Sequence, residues 1–302
     1  MFSLDLKQPY SLSDLQSLLR GLNIANTLTS DEQFEINAIS DGRRPVASSF
    51  CFLDDLAGII TQKKVLYITS ISLENACCLL VEDPRYVFIK LLAYLQKKDH
   101  VYSLSPSHRN VGIHSAAIIH NSAILEEDVV IGNGTIISAG CVIKRGTVIA
   151  ENCIIRENTV IGCEGIALYK SKNGEVLRFP HLSGVEIGSN VEIGANAVIV
   201  RGTLKPTKIE DNVVIGNLCN IGHGVVVKAK VWMSVGTLIG GNCNIANNVT
   251  IGLGVNVKDN LEIGENSSIG MGSVVTKTVD ACCSYFGNPA KPLRGLKTGP
   301  KR

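Results

Sequence analysis

An aliphatic residue returns every six positions through the latter two thirds of this chain. Starting at Ile113 the series runs over 113–161, resumes over 187–199, slips by four residues and continues over 209–275, twenty-four positions in three registers. A glycine often follows, as in Ile131-Gly132, Ile193-Gly194, Ile215-Gly216 and Ile251-Gly252. A period of six fits neither the 3.6 of a helix nor the 2 of a flat amphipathic strand. It fits a solenoid in which each hexad is a short strand plus a turn and three hexads close one triangular coil. The aliphatic residue then points inward and stacks on its counterparts above and below, while Gly and Asn supply the positive φ of tight corners. Eight such coils, at about 4.8 Å each, predict a prism roughly 40 Å tall. A β-sandwich with chance periodicity would not hold so strict a spacing over so many turns.

Composition agrees with a narrow interior: there are 29 glycines, and aromatic residues make up only 5%. Lys plus Arg (29) nearly balances Asp plus Glu (27), which leaves no electrostatic footprint for nucleic acid. No apolar run is long enough to insert in a membrane, and the first residues lack the pattern of a signal peptide. The ten cysteines are scattered, with adjacent pairs at Cys77-Cys78 and Cys282-Cys283. They read as reduced, mostly core thiols of a cytoplasmic protein, and no Cys/His spacing suggests a metal.

Residues 1–105 carry no hexads and read as a small α/β domain. Ser11 caps an amphipathic helix, 64–69 is strand-like, and Pro84 opens a second helix. The predicted order is a small α/β, nucleotide-binding-like domain over 1–105, a mainly β prism over 106–280 and a tail over 281–302. The prism is interrupted over 163–185 by a basic, aromatic segment holding Tyr169, Lys172, Phe179 and His181, an excursion of the kind that carries function. A shorter interruption at 204–208 reads as a corner bulge.

The hexads are the signature of the left-handed parallel β-helix acyltransferases, and the left hand is taken from that resemblance. The chain resembles the UDP-3-O-acyl-glucosamine N-acyltransferase family along most of its length, at Ser49-Phe50-Cys51-Phe52-Leu53, Leu80-Val81-Glu82-Asp83-Pro84, Phe179-Pro180-His181-Leu182, Arg201-Gly202 and Asn217-Leu218-Cys219-Asn220-Ile221-Gly222-His223. The last third looks like the acetyl-CoA-dependent nucleotide-sugar acetyltransferases, at Ile239-Gly240-Gly241, Gly252-Leu253-Gly254, Val275-Thr276-Lys277 and Asn288-Pro289-Ala290. Val200 and Gly216 stand where the lipid A enzymes carry Asp, and little chain follows the prism.

N-acylation of an amino sugar needs a general base for the amine proton and donors for the oxyanion. Of the six histidines, His100 and His108 flank the linker and His114 and His120 sit in the first hexads. His181 lies in the interrupting segment. His223 stands two residues beyond the inward Ile221, so its ring leaves the prism at a face or corner, and the resemblance puts the base at this position too. Gly241, one coil or 18 residues later, corresponds by resemblance to the amide that faces the thioester carbonyl. The resemblance further implies substrate contacts at Asn217, Asn220, His181 and Phe52, and cofactor contacts at Trp232, Gly254 and Lys277. For Asn217 and Asn220 a plain turn-forming role competes closely, and Lys277 is as readily a surface lysine.

The first expectation is therefore an N-acyltransferase with His223 as general base. It would move an acyl group, most simply acetyl, from acetyl-CoA or another short acyl-CoA to the amine of a nucleotide-linked amino sugar for surface polysaccharide. No metal is required. The alternatives are a lipid A pathway UDP-3-O-acyl-glucosamine N-acyltransferase fed by 3-hydroxyacyl carrier protein, and a non-catalytic sugar-binding scaffold. The family resemblance also implies a homotrimer with clefts between subunits, where Trp232 or the basic segment of one chain could meet His223 of another.

Overall fold

The structure, a computed structural model, describes residues 3–29, 32–54 and 61–297, so the tail expectation over 298–302 lies outside the described residues. The chain forms two units, one of residues 1–105 with 166–182, the other of 106–165 with 183–302.

In the first unit six strands, β1 (Ser3–Ser11), β2 (Thr27–Leu28), β3 (Glu35–Ser40), β4 (Ser49–Phe52), β5 (Val65–Thr69) and β6 (Cys77–Leu80), make one sheet ordered β1-β3-β4-β5-β6-β2. The inner pairs are parallel and the two edge pairs antiparallel. Helix α1 (Leu12–Gly21) begins with a capping box between Ser11 and Asp14, and buries Leu12, Leu15 and Leu19. Helix α2 (Pro84–Lys97) begins at the Asp83 cap, whose carboxylate accepts from the Tyr86 N–H at 3.0 Å.

The interrupting segment is a two-stranded antiparallel hairpin, β7 (Leu168–Lys170) with β8 (Val176–Arg178). The sequence reading hangs it on the prism, but its side chains pack within the first unit. The Tyr169 hydroxyl donates to Asp83 at 2.8 Å, and Lys172 Nζ donates to the Glu82 carbonyl at 2.7 Å. Glu175 takes Lys90 Nζ at 2.8 Å and the Tyr86 hydroxyl at 3.1 Å, while the Phe179 ring lies 6.2 Å from Phe88. The basic and aromatic residues of the segment are thus largely committed to its own docking.

The second unit is the solenoid. Its strands are mostly two residues long and stack into three parallel ladders of 10, 8 and 7 strands, the first including the closing C-terminal hairpin. Register is kept from coil to coil, as in Ile199↔Ile221, Ile221↔Ile239 and Ile239↔Val257 on the second face. The inward aliphatics form one continuous buried column, which Cys141, Cys153, Cys219 and Cys243 join as small corner residues. At most corners the third residue after the inward position has positive φ. Asn or Gly fills most of these places, with Asp128 (φ 57), Leu218 (φ 59) and Lys230 (φ 59) as departures.

Because each coil contacts only its neighbours, a cavity cannot be relieved by distant repacking. Ile155→Ala, at a fully buried inward site, is expected to cost about 2–5 kcal/mol, read as a lower urea midpoint of the prism transition. A loss under about 1 kcal/mol would show that the column is not packed to native density.

Candidate functional site

The corner that follows the second face carries one residue from each of five successive coils: Arg201, His223, Gly241, Asp259 and Lys277. Each lies two positions beyond an inward residue of that ladder, so the five stand in a column. The backbone ties the coils closely, with Asn242 N–H donating to the His223 carbonyl at 2.8 Å and Asn260 N–H to the Gly241 carbonyl at 2.9 Å.

Gly241 gives the His223 ring its place. A Cβ built on Gly241 would fall 2.6 Å from Nε2, 2.6 Å from Cε1 and 3.0 Å from Cδ2 of the imidazole. Absence of a side chain at 241 therefore lets the ring lie flat against the next coil. The ladder bonds of that hexad are donated by Leu238, Gly240 and Asn242. They leave the Gly241 N–H outside the ladder, beside the imidazole, where an oxyanion donor for a reaction at Nε2 would have to stand.

His223 is half-buried, and burial lowers its pKa below the usual histidine value, with the Asp259 carboxylate two coils up pulling the other way. A base held neutral near physiological pH follows from that balance. Asp259 was not singled out from the sequence. Its signal was there, since it repeats the His223 position after 36 residues, but one carboxylate among many solvated ones does not stand out. Its Oδ2 accepts from Asn260 Nδ2 at 2.5 Å.

The remaining sequence candidates are dispersed within one chain. Lys277 is exposed and closes the His223 column. Asn220 lies outward on the second face, between Val198 and Leu238. Asn217 and Gly254 sit at the previous corner, and the Asn217 side-chain oxygen is taken by the Ala195 N–H at 2.8 Å, the contact of a corner lock. Trp232 is 58% exposed and points outward from the first face. On the same side Leu218, Val235, Leu253 and Met271 are exposed apolar residues. In the first unit Phe52 is partly buried, with its ring 4.7 Å from Phe88. His181, a substrate contact by the sequence reading, is enclosed at 2% exposure. Among the described residues no helix is long and apolar enough to cross a membrane.

Residues 184–229, which span Arg201 to His223, match the hexapeptide repeat of succinyl-transferase. The chain is 34% identical over 134 residues to a probable UDP-3-O-acylglucosamine N-acyltransferase 2, mitochondrial, of Arabidopsis thaliana, covering 44% of each chain. It is 35% identical over 127 residues to the UDP-3-O-acylglucosamine N-acyltransferase of Delftia acidovorans, covering 42% of this chain and 38% of that one. The matches thus span less than half the length of these curated relatives. Among solved structures, the Francisella novicida UDP-N-acetylglucosamine acyltransferase aligns at 25% identity and a TM-score of 0.49, over 60% of this chain and 69% of that one. The repeat and its three ladders make this chain a β-helix of hexapeptide repeats, similar in sequence to acyltransferases that carry that repeat.

Proposed function

We propose that the protein is an N-acyltransferase acting on the amine of a nucleotide-linked amino sugar, with His223 as general base. The observation that carries this reading is the imidazole lying flat against Gly241, base beside backbone N–H, at a corner of an otherwise plain solenoid. Neutral Nε2 takes the proton of the attacking amine as the C–N bond forms, the Gly241 N–H donates to the oxyanion, and collapse breaks the C–S bond, the imidazolium returning its proton to the leaving thiolate.

The sequence ranks acetyl transfer from acetyl-CoA first. The relatives reverse that order, because both are UDP-3-O-acylglucosamine N-acyltransferases by name. The preferred acceptor is therefore a UDP-3-O-acyl amino sugar and the preferred donor an acyl carrier protein thioester. The acetyl-CoA reading keeps one observation of its own, the exposed Lys277 at the head of the His223 column, where a coenzyme phosphate could rest. Three copies related by a threefold axis would cover the exposed apolar residues around Trp232.

Transfer assays with 3-hydroxyacyl carrier protein and with acetyl-CoA, each against UDP-linked amino sugars, test the reading. Turnover with the carrier protein alone supports it, turnover with acetyl-CoA alone installs the second reading, and none with either removes both. The lowered His223 pKa gives a further expectation. The base works when neutral, so kcat/KM should stay level as pH falls through 6.5 and drop only below that ordinary value. Asp259→Asn removes the carboxylate that raises the pKa and should move this acidic limb to still lower pH. A limb centred above 6.5, or one indifferent to Asp259→Asn, would speak against His223 as the titrating base.

A further inference from the structure

The solenoid departs from its hexads at one corner directly below His223. After Arg201 and Gly202 the chain adds the four residues 203–206 before it rejoins the third face at Thr207–Ile209. The flanking registers, Ile199↔Ile221 and Lys208↔Val226, place that bulge under His223 and Gly224. It is held firmly. The buried Thr207 hydroxyl donates to the Val200 carbonyl at 2.6 Å and accepts from the Gly224 N–H at 2.9 Å. A Cβ on Gly202 would strike the Lys205 carbonyl oxygen at 1.7 Å, so only glycine lets the bulge fold back this tightly.

The bulge delivers a cation. Lys205 is exposed, and its Cε lies 3.7 Å from the point where a Cβ on Gly224 would stand, next to the base. Beneath it Arg201 is enclosed at 8% exposure. Its Nε donates to the Ser183 carbonyl at 2.7 Å, and no carboxylate among the described residues forms an ion pair with it. Burial draws its pKa down from the usual guanidinium value, with Glu164 the main opposing charge, yet an arginine stays cationic at neutral pH. Glu164 and Glu126 act on it without a direct ion pair, and an enclosed cation so loosely compensated is costly to the fold, where an apolar side chain would serve packing better. Such a group is explained when a ligand brings the anion.

We infer that Arg201 and Lys205 form a phosphate subsite that takes the diphosphate of the nucleotide-linked acceptor. This rests on the acceptor reading above. The two cations lie on the side of His223 away from Gly241, whereas Gly241, Asp259 and Lys277 continue the column on the other side, which this reading leaves for the thioester donor. Each cation suits its part: the guanidinium fork matches a bidentate phosphate, and the flexible ammonium follows the second as a point charge.

Coenzyme A also carries a diphosphate, so the test separates the sources. Native protein and Lys205→Glu are titrated calorimetrically with inorganic pyrophosphate, UDP, uridine and coenzyme A at fixed low salt. Lys205 is exposed, so the fold is unaffected. The expected result is a loss of at least about tenfold in affinity for pyrophosphate and UDP, with uridine and coenzyme A unchanged, a step of about 1.4 kcal/mol. Arg201→Lys, which keeps charge but not the fork, should lose less than Lys205→Glu for pyrophosphate and for UDP. Pyrophosphate that fails to bind, or binds both proteins equally, overturns the subsite, and a loss confined to coenzyme A overturns its assignment to the acceptor. The two readings fail separately. Charge-dependent pyrophosphate binding without any acyl transfer would sink the activity and keep the subsite. Robust transfer with an unchanged acceptor KM in Lys205→Glu would do the reverse.

Discussion

His223→Ala should fold as the native chain does and lose acyl transfer by about 10²–10⁴-fold, the usual share of a positioned general base. The ring contributes little to the fold, since it lies outside the inward column on the half-buried surface of a corner. Its backbone carbonyl still accepts the Asn242 N–H when the side chain is gone. The thermal midpoint should therefore move by no more than a surface substitution moves it, about 0.5 kcal/mol in stability. Donor and acceptor binding should persist, so the defect falls on kcat. Transfer assays beside thermal melts read both quantities. A folded His223→Ala protein with native turnover would move the chemistry elsewhere on the prism. A protein that melts far earlier would mean the histidine is a packing residue.

The solenoid was legible in the sequence because its rule is local: an inward aliphatic at every sixth place, a glycine or asparagine where φ must be positive. Ile221 and Ile239 could be placed on one ladder by counting. The same count brought His223 and Gly241 to one corner, since a coil is a fixed length of chain. What counting could not supply was contact at a distance. The docking of the hairpin depends on Tyr169 meeting Asp83 across 86 residues, and on Phe179 meeting Phe88. Nothing in the local pattern distinguishes those side chains from a solvated basic loop. His181 is the same case, a polar residue in an eventful segment that ends up enclosed. The bulge at 203–206 was visible as a slip in register, but its content was not. That Lys205 lies along Gly224, and that Arg201 is enclosed without a direct ion pair, follow from how the extra residues fold back over Thr207. A turn-former and a ligand-holder look alike at Asn217 until the Ala195 N–H is found on its side-chain oxygen.

Gly241→Ala isolates the position of the imidazole from every other feature of the site. The backbone at 241 lies outside the left-handed region, so alanine is free of the conformational penalty it would meet at a corner glycine such as Gly224 (φ 64). The main-chain N–H is retained, so an oxyanion donor survives the substitution. What changes is the methyl group, which would stand 2.6 Å from Nε2 and Cε1 of His223. The ring must rotate off the coil, and a displacement of about 1 Å in a reacting group costs roughly 10²-fold. The expected result is therefore a drop in kcat of that order, a nearly unchanged melting point and unchanged donor binding. The double variant makes the assignment strict. In a His223→Ala background the methyl group has no ring to strike, so adding Gly241→Ala should cost nothing further, and the two effects should be strongly non-additive. If Gly241→Ala is as active as the native protein, the imidazole does not work from this corner. If the two losses simply add, Gly241 matters through something other than the ring it accommodates.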